Sequence, residues 1–306
     1  MIKIGITGGE TKLAGELLRL AMHHPDVEVL TVHSPANAGR PLTAVHHGFI
    51  GEEKILFTSN FDASGLDIAF LLSPIYTSSD WAKLMADHPR LHLVLTPESA
   101  ALSESLSADP VYGLSEMNRK QLVRGARMAM LPGAVATPVL IALFPLASHL
   151  MLPNTLSIKV EIPEDLITDR LKEDAQKEIS GVLGKIQSSF TGTVDLHLQP
   201  NGSSRGIKVS TELDNSTDLK EIIRIYDSIY DDHNFTFLTT SPVDTAEVEG
   251  TQKVIVSFSH PTPGRLRIEA VADVRMRGGA GDAIHIMNLF FQLHEKTGLQ
   301  QKVSRW

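Results

Sequence analysis

The 306-residue chain contains no cysteine, and that absence excludes more than any residue present suggests. A disulfide scaffold, thiolate catalysis and a cysteine-ligated metal centre are all ruled out. A basic excess is missing too: 28 Lys+Arg stand against 36 Asp+Glu, for a formal net charge of −8. With no block of Lys and Arg either, the chain lacks the field that draws DNA, RNA or an anionic membrane, and neither nucleic acid nor membrane is an expected partner. The start of the chain has no basic segment, apolar segment and cleavage site in succession, so no secretory signal is read there and a cytoplasmic location is expected. The Asn-x-Ser/Thr triplets at Asn201, Asn215 and Asn234 are then chance matches.

Metal-ligand spacing is also lacking among the 13 histidines. His88 and His92 are four apart, but Pro89 and the strand-like pattern after it keep one helical face from presenting both, and no metal is expected. His23-His24 and His46-His47 read as surface or loop pairs. One long stretch, Met128–Pro153, lacks charge altogether. Pro132, Gly133, Pro138 and Pro145 divide it into a strand end, a turn and a buried helix rather than a membrane span.

What is present reads as about two domains. Up to about residue 160, short apolar runs alternate with helical stretches, the pattern of a parallel sheet covered by helices. Ile2–Thr7, Glu28–Val32, Asp67–Leu72 and Leu91–Leu95 read as strands, and Lys12–His23 as a helix with apolar Leu13, Leu17, Leu18 and Met22. A sheet of this kind binds ligands beyond its C-terminal strand ends. Strands are read further on at Ser157–Ile162, Asp195–Leu198, Ile207–Glu212, Val254–Ser259 and Leu266–Val271, with helices over Pro163–Phe190 and Leu219–Tyr230. The fold class expected is α/β: a Rossmann-type doubly wound parallel sheet over 1–135, and an α+β mixed-sheet domain over 136–280. A C-terminal segment, 281–306, carries a helix at Asp282–His294 that packs back on the first domain.

Gly8-Gly9-Glu10-Thr11-Lys12-Leu13-Ala14-Gly15 joins the first strand to the first helix, where a dinucleotide phosphate loop would sit. Thr11 puts a side chain where a glycine permits close approach, and Glu10 adds a negative charge that Lys12 offsets. The loop therefore reads either as a cofactor site or as a plain strand–turn–helix connection. Gly202-Ser203-Ser204-Arg205-Gly206 matches the nucleophile-elbow pattern, but a strand rather than a helix follows it, and the match is rejected.

Several strings together resemble one family, N-acetyl-gamma-glutamyl-phosphate reductase, related to aspartate-semialdehyde dehydrogenase. They are Ala14-Gly15-Glu16-Leu17-Leu18-Arg19-Leu20 with His24-Pro25, then Asn37-Ala38-Gly39-Arg40-Pro41-Leu42 and Tyr112-Gly113-Leu114-Ser115-Glu116-Met117-Asn118-Arg119. Pro132-Gly133-Ala134-Val135-Ala136-Thr137, Arg205-Gly206, and Gly278-Gly279-Ala280-Gly281 running into Met287-Asn288-Leu289 complete the set. The resemblance spans nearly the whole chain.

The resemblance implies an enzyme that reduces an acyl phosphate with NADPH, through a cysteine nucleophile and a histidine acid/base. Here the cysteine position, after Pro-Gly, holds Ala134, and the histidine position matches Ala175, with Glu178 retained. The substrate arginine corresponds to Ala101 in Pro97-Glu98-Ser99-Ala100-Ala101, and the Pro/Ala-His-Gly stretch to Pro74-Ile75-Tyr76. Near the C-terminus, Asp273-Val274-Arg275-Met276-Arg277-Gly278 loses an amide, and Asp282 replaces a glutamine. The family's substrate loop is read as deleted, with the long helix extended back towards Pro163. On the cofactor side the resemblance places NADP at Gly8, Thr11, Ala14, Ser34, Arg40 and Gly281, with Asn37 beside them. The expected function is a homologue that has lost the reductase reaction and serves as a structural or regulatory protein. The partners expected are a second copy, in a homo-oligomer, or an active paralogue. The alternatives are an NADP-dependent oxidoreductase working without a thioester and a metabolite-binding sensor.

Overall fold

The structure is a computed structural model that describes residues 1–51, 54–73, 78–97 and 110–303. It separates into two compact units, Met1–Pro132 with Gly279–Leu299, and Gly133–Gly278 with the chain from Gln300.

The first unit opens with β1 (Ile2–Thr7), α1 (Lys12–Ala21) and β2 (Val27–His33), followed by β3 (Phe57–Thr58) and β4 (Ile68–Leu71). It continues through α2 (Ser78–Asp87), β5 (His92–Leu95), β6 (Val111–Tyr112), α3 (Ser115–Val123) and β7 (Met128–Met130). The seven strands form one parallel sheet in the order β3-β2-β1-β4-β5-β7-β6. Helices on both faces demand strands that are apolar throughout, and all four residues of β4 are buried. The order reverses between β1 and β4, which makes the C-terminal end of β1 the switch point where such sheets take ligands.

The second unit carries α4 (Ala136–Ser148), β8 (Thr155–Ile162), α5 (Asp169–Ile186), β9 (Thr193–Pro200), β10 (Gly206–Asp214) and α6 (Leu219–Tyr230), then β11 (Thr236–Thr239), β12 (Val254–Ser259) and β13 (Arg265–Asp273). Its six-stranded mixed sheet has the order β11-β12-β13-β10-β8-β9. Along β8 the period of two is plain: Leu156, Ile158, Val160 and Ile162 are buried while Ser157 and Lys159 are exposed. The chain then returns to the first unit as α7 (Ala280–Phe290), buried along its whole length.

The uncharged stretch 128–153 becomes β7 and α4, and among the described residues no helix is long and apolar enough to cross a membrane. Pro145 inside α4 has no N–H for the Ile141 carbonyl; the Tyr230 hydroxyl of α6 donates to that oxygen at 2.7 Å. Tyr226, one turn earlier, donates to the Ala142 carbonyl. Burial pushes the Tyr226 hydroxyl pKa upward, so it stays a donor.

Three expectations need correcting. The long helix does not reach back to Pro163: a separate turn occupies Glu164–Leu166, and α5 starts only after Thr168, whose hydroxyl accepts the Leu171 N–H at 3.0 Å as an N-cap. The C-terminal helix ends at Phe290 rather than His294, because Gln292 adopts a positive φ of 54°. His24 is in a loop, as read, but is buried there rather than on the surface, its Nε2 donating to Asn288 Oδ1 at 3.0 Å and its Nδ1 accepting the Asp26 N–H at 3.2 Å.

Candidate functional site

At the switch point the backbone turns at Gly8, with φ +66°, where an added Cβ would lie 2.6 Å from Ser73 Cβ. The loop then satisfies its own amides. Gly9 N–H donates to the His33 carbonyl at 2.9 Å, Thr11 N–H to Gly8 at 3.0 Å, and Ala14 N–H to the Thr11 hydroxyl at 3.1 Å. Thr11 is thus the N-cap of α1, filling with its own oxygen a place that an anion takes in a phosphate loop. His46 holds the loop from outside, its Nε2 donating to the Gly9 carbonyl at 2.6 Å. The ring crowds Gly15, where an added Cβ would sit 2.7 Å from Nδ1. Sequence reasoning gave His46 no partner. The signal for it was Gly15, a glycine in a helix interior, which is costly unless something packs there.

The end of β2 is differently disposed. Ser34 is fully buried, and its hydroxyl accepts Asn37 Nδ2 at 3.0 Å. Asn37 Oδ1 in turn accepts Arg40 Nη1 at 2.9 Å, with the arginine exposed. The backbone beneath is pinned to β3, Gly39 N–H donating to Phe57 at 2.8 Å and Phe57 N–H to Arg40 at 2.9 Å. Three residues singled out in the sequence are therefore one connected array that presents a guanidinium. Beside it His33 is buried and donates from Nε2 to the Ser59 carbonyl at 3.2 Å. Burial lowers the His33 pKa, and the Ser59 bond and the Glu10 charge only partly oppose it. The Thr7 hydroxyl, buried at the end of β1, has no hydrogen-bond partner among the described residues.

A dinucleotide fits this edge only in part. An Arg after β2 suits a ribose 2′-phosphate. At the loop the Gly9, Thr11 and Ala14 amides already have partners and Glu10 is exposed, so a pyrophosphate would meet fewer donors and an added negative charge there.

In the second unit the turn 133–135 leads into α4. Ala134 is half-buried there, and Gly278, with φ +69°, lies so close that an added Cβ would come within 2.7 Å of Ala134 Cα. Gly133 N–H donates to Glu178 Oε1 at 2.9 Å. Glu178 thus faces the turn from α5, while Ala175, one turn earlier on that helix, is buried and offers a methyl group. Neither Ala134 nor Ala175 offers a nucleophile or a proton-transfer group.

Residues 3–124 match the semialdehyde dehydrogenase NAD-binding domain family. Solved structures share the fold: aspartate semialdehyde dehydrogenase II from Vibrio cholerae superposes with a TM-score of 0.68 at 14% identity, covering 95% of this chain and 99% of that one. A probable aspartate-semialdehyde dehydrogenase from Pseudomonas aeruginosa gives 0.65 at 15%, covering 95% and 98%. The whole chain is 33% identical to the N-acetyl-gamma-glutamyl-phosphate reductase of Parabacteroides distasonis, over 99% of each. The chain belongs to the N-acetyl-gamma-glutamyl-phosphate reductase family. The reductase of Phocaeicola vulgatus is 29% identical over the same shares.

Three of the strings that mark the reductase family here, His24-Pro25, Tyr112–Arg119 and Met287-Asn288-Leu289, are packing devices of the first unit. His24 meets Asn288 of α7, whose Nδ2 also donates to the Glu295 and Thr297 carbonyls at 3.2 and 2.9 Å. Asn118 donates to the Tyr112 carbonyl at 2.9 Å, and Arg119 pairs with Glu295 at 2.5 Å. His285 on α7 bonds Glu295 at 2.8 Å. Of the remaining cofactor candidates, Ala14 is buried in α1 and Gly281 in the first turn of α7. Pro74-Ile75-Tyr76 and residues 98–101, with the substrate-arginine position Ala101, lie outside the described residues.

The Gly202–Gly206 loop lies between β9 and β10, so a strand does follow it. Its Ser203 hydroxyl donates to Glu249 at 2.6 Å and accepts the Gly206 N–H at 2.7 Å, a role in holding the loop. No group of three or more His, Asp or Glu among the described residues is placed to hold a metal ion.

Proposed function

We propose that this chain is a member of the reductase family that no longer runs the acyl-phosphate reduction and acts instead as a structural or regulatory protein. One observation carries the reading: Ala134 stands after Pro-Gly at the start of α4, in a chain without a single cysteine. The reaction implied by the resemblance forms a carbon–sulfur bond, expels phosphate and passes hydride to the thioester. A methyl group has no electron pair with which to begin. Losing the nucleophile of a protease triad costs on the order of a millionfold in rate, and here the base position is a methyl group as well. Glu178 offers the turn a carboxyl group, which adds no thiol chemistry and disfavours an anionic acyl phosphate.

Partners consistent with this role are a second copy of the chain and an active paralogue. The test is an assay of the pure protein with NADPH and N-acetyl-gamma-glutamyl phosphate, and in reverse with the semialdehyde and phosphate. No turnover above background is expected in either direction; measurable turnover overturns the reading. A second reading, a nucleotide-linked sensor or an oxidoreductase that needs no thioester, is favoured by the Ser34–Asn37–Arg40 array. It requires saturable binding of NADPH or NADH, and a flat titration with both disposes of it.

A further inference from the structure

The chain has eight asparagines, and only Asn201 is followed by glycine. The side-chain carbonyl carbon of an asparagine can be attacked by the backbone nitrogen of the next residue. Glycine there removes the Cβ that shields this nitrogen and widens the range of backbone conformations open to the attack. Gly202 is exposed, with φ +71° and no atom within 4 Å of an added Cβ. The fold holds the other reactant in place. Asn201 Nδ2 donates to the Glu161 carbonyl near the end of β8 at 3.1 Å and to the Gly206 carbonyl at the start of β10 at 2.8 Å. Its Oδ1 accepts the Ser203 N–H at 2.9 Å. The Ser203 hydroxyl closes the loop behind it, accepting the Arg205 and Gly206 N–H groups at 3.1 and 2.7 Å. Attack on the amide carbon requires these side-chain bonds to open first.

We propose that Asn201-Gly202 is a self-modifying site, kept closed by the loop between β9 and β10, which reacts when this part of the second unit opens. The Gly202 nitrogen bonds to Asn201 Cγ, the Cγ–Nδ2 bond breaks, and ammonia leaves with the proton of the Gly202 amide, giving a five-membered cyclic imide. Water then opens the imide at either carbonyl, to aspartate or to its isomer linked through Cγ. No other reactant is needed. The product cannot resume the native arrangement. A carboxylate has no hydrogen to donate, so the Glu161 and Gly206 carbonyls lose their donor and face a negative charge. One reaction thus records an opening of the loop and makes it permanent. This stands apart from the loss of the reductase reaction, since neither Ala134 nor Ala175 takes part.

Ageing the full chain at neutral pH, native and in urea, and measuring aspartate and isoaspartate at position 201 by mass spectrometry of its peptides tests the proposal. Conversion in the native chain is expected to be at least about tenfold slower than in urea, because three hydrogen bonds hold the amide. Ser203→Ala removes the hydroxyl that closes the loop and leaves the reacting pair intact; it is expected to speed native conversion about threefold. Asn201→Asp, which reproduces one product, is expected to lower the Tm by a few degrees. Native and unfolded chains converting at the same rate would show that the loop closes nothing and overturn the proposal. So would an Asn201→Asp chain as stable as the unmodified one. A Ser203→Ala chain with a lower Tm and an unchanged native rate would also overturn it, since the loop would then loosen without releasing the pair. The reductase assay reads none of these outcomes, so the two proposals fail independently.

Discussion

Two buried histidines and one half-buried one in the first unit are set against a buried carboxylate in the second. His24, His33 and His92 have their pKa values lowered, in each case chiefly by burial, and His24 is fixed in a neutral tautomer by Asn288 and the Asp26 N–H. His92 packs against the rings of Phe290 and Phe291, with centroids 5.2 and 4.9 Å away. In the second unit, Asp273 is fully buried and meets the Arg205 guanidinium, while its oxygens accept the Gly250 N–H at 2.6 Å and the Arg275 N–H at 2.9 Å. A neutral buried group costs little until protons are supplied, whereas a paired buried charge fails when its partner is taken away. The units should therefore break under different stresses.

The largest effect is expected from Asp273→Ala. It removes the buried carboxylate that Arg205 meets and strips the Gly250 and Arg275 amides of their acceptor, at a cost of about 3–5 kcal/mol in urea unfolding of the second unit. A loss below about 1 kcal/mol would erase the contrast.

Acid comes next, and it should act on the first unit. Each of the three histidines has a folded pKa below its unfolded value, so its contribution is fully present above about pH 6.5 and is lost as pH falls towards the folded pKa. The loss is at most about 1.4 kcal/mol per pH unit for each histidine that stays neutral while the unfolded chain takes a proton. Hydrogen exchange at pH 7.5 and pH 5.5 should show protection falling in the first unit's strands before the second's. The reverse order would contradict the assignment.

The smallest effect sharpens the picture inside the second unit. Tyr230→Phe removes the donor to the Ile141 carbonyl, which Pro145 cannot replace, and is expected to cost about 1–3 kcal/mol. Tyr226→Phe should cost less, because Ala142 keeps a helical donor at Leu146. Equal losses would mean that the proline is not the reason for the hydroxyl.

Much of the fold was legible because periodicity survives without tertiary context. β1, β12 and α6 occupy the spans their patterns indicate, since each has apolar residues at the right repeat and a turn at either end. The two-residue strands β3 and β6 were not legible, because two residues carry no period and owe their geometry to the neighbours they bond. In α5 the adjacent apolar residues Val182 and Leu183 are half-buried and fully buried, a choice between neighbours that only packing fixes. At the candidate site, Ala134 was readable from its Pro-Gly context. Glu178 facing Gly133, 45 positions away, was not, because no local pattern links a helix carboxyl to a distant turn amide.

By itself, the sequence determined the chemistry that is excluded. A chain with no sulfur nucleophile cannot form a thioester in any fold, because composition is unchanged by folding. Tertiary structure decided which groups remain available. Thr11 reads as a misfit in a phosphate loop until its hydroxyl is seen on the Ala14 amide, and Arg40 reads as an ordinary surface charge until Asn37 and the buried Ser34 are seen behind it. The reason is physical: whether a donor is free depends on the partner that the fold brings to it, and one residue's identity does not specify that partner.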